Sequence, residues 1–184
     1  MSRALLVIDM LNDFLKGNLR IPEAEEIVGR VKRLIEVFRS RGLPVIYVVD
    51  SHLKGVDLEL KLWGDHALEG SWGSQVIDEI KPREGDYVVK KRRYSGFYST
   101  DLDLLLRELG VDTLILTGVA TDICVQHTAA DAFFRGYKLV VVSDATAALS
   151  RERHEKSLKY MEEVYGASIA SASDVEDMIA KPQP

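Results

Sequence analysis

"VDTLILTGVATDICVQHTAADAFFRG", running from Val111 to Gly136, decides the fold. Its first eight residues, Val111–Gly118, are a short apolar run rich in β-formers that closes on glycine, as a strand does. From Asp122 the pattern changes to small and apolar residues at helical spacing, stopping at Gly136. A strand handing over at once to a helix is half of a βαβ unit, and the same rhythm extends in both directions. Upstream, Ala4–Asp9, Pro44–Asp50 and Asp86–Lys90 read as strands, and Ala24–Gly42 and Ser99–Gly110 as helices. Downstream, Tyr137–Ala145 and Ala167–Ser171 read as strands, with helices over Ser150–Gly166 and Ser173–Ala180. The expected fold is α/β: a three-layer, doubly wound, six-stranded and mostly parallel sheet of Rossmann-like type, with helices on both faces.

The 184 residues are 46% apolar, which is enough for one sizeable core, and no repeat or low-complexity tract divides them. One domain over residues 1–184 is therefore expected. An irregular segment at about 51–83 holds both tryptophans and two of the four histidines. It follows the carboxyl end of a strand, where open α/β sheets place ligands. A net charge of −5 argues against nucleic-acid binding. The opening apolar run is too short for a membrane span, and no signal-peptide cleavage pattern follows it. A single cysteine fits a reducing compartment, so the expected location is cytoplasmic.

Four constellations carry chemistry. Cys124 lies at the start of the Asp122 helix, where free N–H groups and the helix dipole favour a thiolate and can hold an oxyanion. It is equally a small buried hydrophobe packed against the sheet. Asp9 closes the run "LLVID" and is either a base facing a cleft or a loop-capping acid. In "VVKKRRYSGF" only one of Lys90 and Lys91 can face a site beside Cys124. Asp50 and His52 share one side of a strand end, and with His66 they match a two-histidine, one-carboxylate metal set. Surface histidines beside a cap acid give the same pattern.

The motifs "VIDMLNDF", "KRRYSGFYSTDLDLLLRELGV" and "LTGVATDICVQHTAADAFFRGY" span most of the chain. Through them the chain resembles the isochorismatase-like cysteine hydrolases, and within these the nicotinamidases, also called pyrazinamidases. The resemblance implies a triad of Cys124 as nucleophile, Asp9 as base and Lys91, with Lys90 the alternative if the register is off by one. It implies a cis peptide at Val119–Ala120, with the Ala120 and Cys124 N–H groups facing the oxyanion. It implies a divalent metal on Asp50, His52 and His66, zinc first, with iron or manganese the other candidates. Phe14 and Trp63 would line a slot for the nicotinamide ring. The expected activity is hydrolysis of a small carboxamide, nicotinamide before N-carbamoyl or ureido compounds, by a homodimer or homotetramer. A non-catalytic nucleotide-binding or scaffold module is the reading from another class, although no G-x-G-x-x-G or P-loop motif is present. Two stretches depart from the subfamily pattern: "DSHLKG" stands where D-W-H-P is usual, and "HALEGSWGSQ" where H-C-V-x-G-T is usual.

Overall fold

Residues 2–181 are described by a computed structural model. The apolar run near the N-terminus becomes strand β1 (Ser2–Ile8), and its residues from Ala4 on are buried on both faces. The other strands are β2 (Val45–Asp50), β3 (Tyr87–Lys91), β4 (Val111–Val119), β5 (Lys138–Ala147) and β6 (Ser168–Ala170). They lie in the order β3-β2-β1-β4-β5-β6, and every neighbouring pair is parallel.

Side chains alternate across this sheet into two cores. Leu5, Val7, Tyr47 and Ile115 face α2 (Ala24–Ser40) and α7 (Ala172–Ala180). Helix α2 presents Ile27, Val31, Leu34, Ile35 and Phe38, a stripe at i, i+4, i+7 and i+8 spacing. On the opposite face, Leu6, Ile8, Val48 and Leu116 meet α4 (Leu102–Glu108), α5 (Gln126–Phe134) and α6 (Arg151–Tyr165). Ser150 caps α6 by accepting from the Arg153 N–H at 3.2 Å, and Gly166 ends it in the left-handed conformation. A capping box between Ser171 and Asp174 starts α7.

The segment between β2 and β3 is irregular apart from the single turn α3 (Leu60–Trp63) and a 3-10 turn at Asp78–Ile80. It folds back over the loop after β1, which carries the short helix α1 (Asn12–Leu15). The Asn12 N–H donates to Gln75 O at 3.0 Å, and the Ile77 N–H to Met10 O at 3.1 Å. Strand order reverses between β1 and β4, and the crevice outside their carboxyl ends is the ligand position in open α/β sheets. Among the described residues no helix is long and apolar enough to cross a membrane.

Candidate active site

Cys124 reaches this crevice by a route that differs from the expected helix start. After β4 the chain passes the cis peptide Val119–Ala120 and winds into a π-type turn over Thr121–Val125; α5 begins only at Gln126. The Ile123 and Val125 N–H groups both donate to Ala120 O, at 3.0 and 3.1 Å. Helix α6 braces the turn from behind. Ser157 Oγ donates to Thr121 O at 3.0 Å, Thr121 Oγ1 is hydrogen-bonded with His154 Nδ1 at 2.9 Å, and Asp122 pairs with Arg153. Gly118 lets the β1 backbone approach this turn. Its φ is +102°, and a Cβ there would lie 1.9 Å from the Ile8 carbonyl oxygen.

The strand ends bring three charged groups to the sulfur. Asp9, directly after β1, adopts φ +50°, a conformation non-glycine residues rarely take and one that recurs at functional sites. Its Oδ1 accepts the Asp50 N–H at 2.8 Å, and its Oδ2 lies 2.7 Å from Lys91 Nζ. Asp50 and Lys91 are register partners at the ends of β2 and β3, and Lys91 Nζ reaches Asp50 Oδ1 at 2.5 Å. The same ammonium lies 3.5 Å from Cys124 Sγ. Lys91 is fully buried, whereas Lys90 points outward to pair with Glu69 at 3.1 Å.

Burial works against the Lys91 charge, yet Asp50 and Asp9 push its pKa well above the usual lysine value. Burial likewise opposes ionisation of Asp50, but Lys91 and His52 hold its carboxyl below the ordinary range. Asp9 is raised to about 6, by burial and by the Asp50 charge, against the pull of Lys91. The Cys124 thiol is pushed well above its usual value, by burial first, with Lys91 pulling it down and Asp9 and Asp50 adding to the rise. Burial thus outweighs the pull of the turn's N–H groups and of Lys91 towards a thiolate. The sulfur is held as a thiol beside a carboxylate able to take its proton.

A second cluster adjoins the first. One donor atom from each of Asp50, His52, Glu59 and His66 lies within 4.8 Å of the others. Each histidine has its Nδ1 occupied. His52 donates to Asp57 Oδ2 at 3.1 Å and His66 to Gly64 O at 2.8 Å. In the neutral rings this leaves both Nε2 lone pairs free, the arrangement in which outer partners orient metal-binding histidines. His52 Nε2 is buried without a hydrogen-bond partner, 3.6 Å from Asp50 Oδ2 and 3.8 Å from Glu59 Oε2. Burial and the Asp50 charge push Glu59 up to about 7. A buried orphaned nitrogen among two carboxylates and a second histidine fits a divalent cation.

Phe14 and Trp63 both line the pocket that holds Asp9, Asp50, Glu59, His66 and Cys124. The Phe14 and His66 ring centroids are 5.7 Å apart, and Trp63 Nε1 donates to Tyr94 Oη at 3.0 Å. The remaining walls are mostly apolar, and no arginine or lysine lines the pocket among the described residues. Sequence reasoning missed Glu59, Asp57 and Tyr94. The only signal for the two acids was their crowding between His52 and Trp63.

Comparison with known proteins agrees with this fold. The Isochorismatase domain model matches residues 3–174. The structure of N-carbamoylsarcosine amidase from Thermoplasma acidophilum superposes with a TM-score of 0.88 at 49% identity, covering 94% of this chain and 97% of that one. Nicotinamidase PncA from Bacillus subtilis gives 0.87 at 34% identity, covering 93% and 100%. Pyrazinamidase of Pyrococcus horikoshii, solved in complex with zinc, gives 0.86 at 29% identity, covering 93% and 99%. With the matched domain spanning nearly its whole length, the chain belongs to the isochorismatase family and is an amidohydrolase of that family.

Proposed function

We propose that the protein hydrolyses nicotinamide to nicotinate and ammonia through a thioester on Cys124. The observation that carries this reading is the four-donor cluster of Asp50, His52, Glu59 and His66 opening onto the same pocket as the sulfur. Asp9 takes the thiol proton as Sγ attacks the carboxamide carbon. The N–H groups of Ala120 and Cys124 receive the oxyanion. Asp9 returns the proton to the departing nitrogen, releasing ammonia, then draws a proton from the water that cleaves the thioester and passes it to the departing Sγ, restoring the thiol. Lys91 stays protonated throughout and keeps Asp9 and Asp50 in place. When bound, a divalent ion held by Asp50, His52, Glu59 and His66 supplies a Lewis acid beside the pocket, suited to a pyridine nitrogen. Phe14 and Trp63 then flank the ring. Zinc is the first candidate for the ion, since a pyrazinamidase of the same fold was solved with it.

A second reading, hydrolysis of an N-carbamoyl compound, is favoured by the 49% identity to N-carbamoylsarcosine amidase. Such substrates carry a carboxylate, which would be buried against the acidic side chains of Asp9, Asp50 and Glu59 on the pocket wall. With three acids and, among the described residues, no arginine or lysine lining the pocket, an uncharged aromatic amide is favoured. Ammonia release measured in parallel on nicotinamide, pyrazinamide and N-carbamoylsarcosine decides between them. A carbamoyl substrate turned over faster than both aromatic amides overturns the proposal.

Two further outcomes are expected. Dialysis against a strong chelator should raise KM for nicotinamide by about tenfold or more, and added zinc should restore it. Unchanged kinetics in a protein shown by elemental analysis to be metal-free would remove the cation from the reading. For chelator-treated, metal-free protein, kcat/KM should fall about tenfold per pH unit below about 6, the value to which Asp9 is raised. The sign follows from the role, because protonated Asp9 cannot accept the thiol proton. A profile flat down to pH 4 would exclude Asp9 as the base.

A further inference from the structure

Asp13 touches neither the sulfur nor the cation cluster, yet its carboxylate is buried where the loop after β1 meets the insertion. Its Oδ2 accepts the Ala67 N–H at 2.8 Å, and its Oδ1 accepts the Asn18 N–H at 3.1 Å. Ala67 is the residue through which the two histidine-bearing segments meet. It directly follows His66, and its carbonyl accepts the His52 N–H at 2.9 Å. The Glu69 N–H returns to His52 O, also at 2.9 Å. Ala67 is completely buried and has φ +42°, a left-handed conformation that disfavours any residue with a Cβ. Such a residue persists where its surroundings over-determine it. Here the surroundings are Asp13 on its N–H and His52 on its C=O.

Two glycines make room for the carboxylate. A Cβ at Gly73 would lie 2.0 Å from Asp13 Oδ2, and one at Gly17 would lie 2.2 Å from Oδ1. Neither glycine has a positive φ, so what excludes a side chain at Gly73 is the Asp13 carboxylate itself. Asp13 also holds its own loop in place, since its N–H donates to Gly73 O at 3.1 Å, and Phe14 of the pocket is the next residue.

We infer that Asp13 is a positioning residue for the cation cluster: through the Ala67 peptide it sets the spacing between His52 and His66, and thereby the affinity for a divalent ion. This rests on the cluster reading above and deepens it. Outer-shell groups that orient metal-binding side chains typically control affinity by about 10- to 100-fold. Asp13 acts one bond network further out than Asp57, which contacts His52 directly. It is the single side chain whose bond to Ala67 bears on both histidines at once.

The test is the zinc dissociation constant of the full chain, read by competition with a chromophoric chelator, for three variants. Asp13→Ala removes the acceptor. Gly73→Ala keeps the carboxylate but drives it out of place, and so carries the test even where Asp13→Ala fails to fold. Each single substitution is expected to weaken zinc binding by about tenfold or more. The double variant should bind no more weakly than Asp13→Ala alone, because the Gly73 methyl group has nothing left to displace. A merely structural role for Asp13 would lower the melting midpoint in excess chelator while leaving the zinc affinity of the folded protein unchanged. Zinc-binding unaltered protein whose folded single variants stay within about twofold of it overturns this inference alone. Unaltered protein that binds no zinc overturns the cluster reading, and this inference with it.

Discussion

Cys124→Ala loses amide hydrolysis, with kcat reduced by about 10⁴-fold or more, the scale seen when the nucleophile of a covalent hydrolase is removed. The sulfur is the only group in the pocket able to form the thioester, and without it Asp9 has no thiol proton to take. Water positioned by what remains would attack a resonance-stabilised amide unaided. The fold should persist, because alanine fills most of the same small, buried space and Lys91 keeps both of its carboxylates. The melting midpoint therefore separates a chemical loss from a structural one. Ammonia release gives the rate, and mass spectrometry of acid-quenched protein shows whether an acyl adduct forms. A well-folded alanine variant within tenfold of full activity would end the covalent mechanism.

Lys91→Met should unfold more easily than it loses any single contact would suggest. The side chain is fully buried, 2.5 Å from one carboxylate and 2.7 Å from another. Removing one member of a buried ionic group leaves the others uncompensated, at a cost of about 3–5 kcal/mol. The pH dependence has a definite sign. Without the ammonium, Asp9 and Asp50 in the folded variant have raised pKa values, so the folded state binds more protons than the unfolded chain. The deficit relative to the unaltered protein should therefore shrink as pH falls from 7 towards 5 and be largest above neutrality. Urea denaturation of both proteins across that range measures it. A deficit below about 1 kcal/mol at pH 7 would mean that the ion group is worth no more than a surface pair.

Much of this architecture was legible because parallel strands and amphipathic helices impose periods on the chain. The apolar run at Ala4–Ile8 and the α2 stripe from Ile27 to Phe38 each have one reading. Because strand ends converge at a switch point, the same periods bring Asp9, Asp50 and Cys124 together. What escaped lies where no period operates. Glu59 and Asp57 sit in irregular chain, where nothing in the order of residues says which acid turns inward. The π-type turn at Thr121–Val125 and the long-range bond from Asp13 to Ala67 depend on packing partners distant in the chain. The balance of burial and charge around Cys124 is likewise set by partners distant in the chain, and only coordinates supply it.

Strand β3 has an unusual property for the segment that delivers the ammonium. It lies at the sheet edge, and its sequence runs in doublets, Val88–Val89 and then Lys90–Lys91, with Arg92–Arg93 following. Slippage by one residue in the direction that brings Val88 and Lys90 inward would put valine for valine and lysine for lysine at the two inward positions, so the usual penalty for that misalignment is small. In that direction the inward side chains do not distinguish the two alignments, and contacts outside the strand help to fix it. Just beyond the doublets, Tyr94 is tied to Trp63, and the Gly96 N–H donates to Thr128 Oγ1 at 2.9 Å. The placement of the reactive centre's positive charge thus depends on an anchor that is not itself part of the sheet.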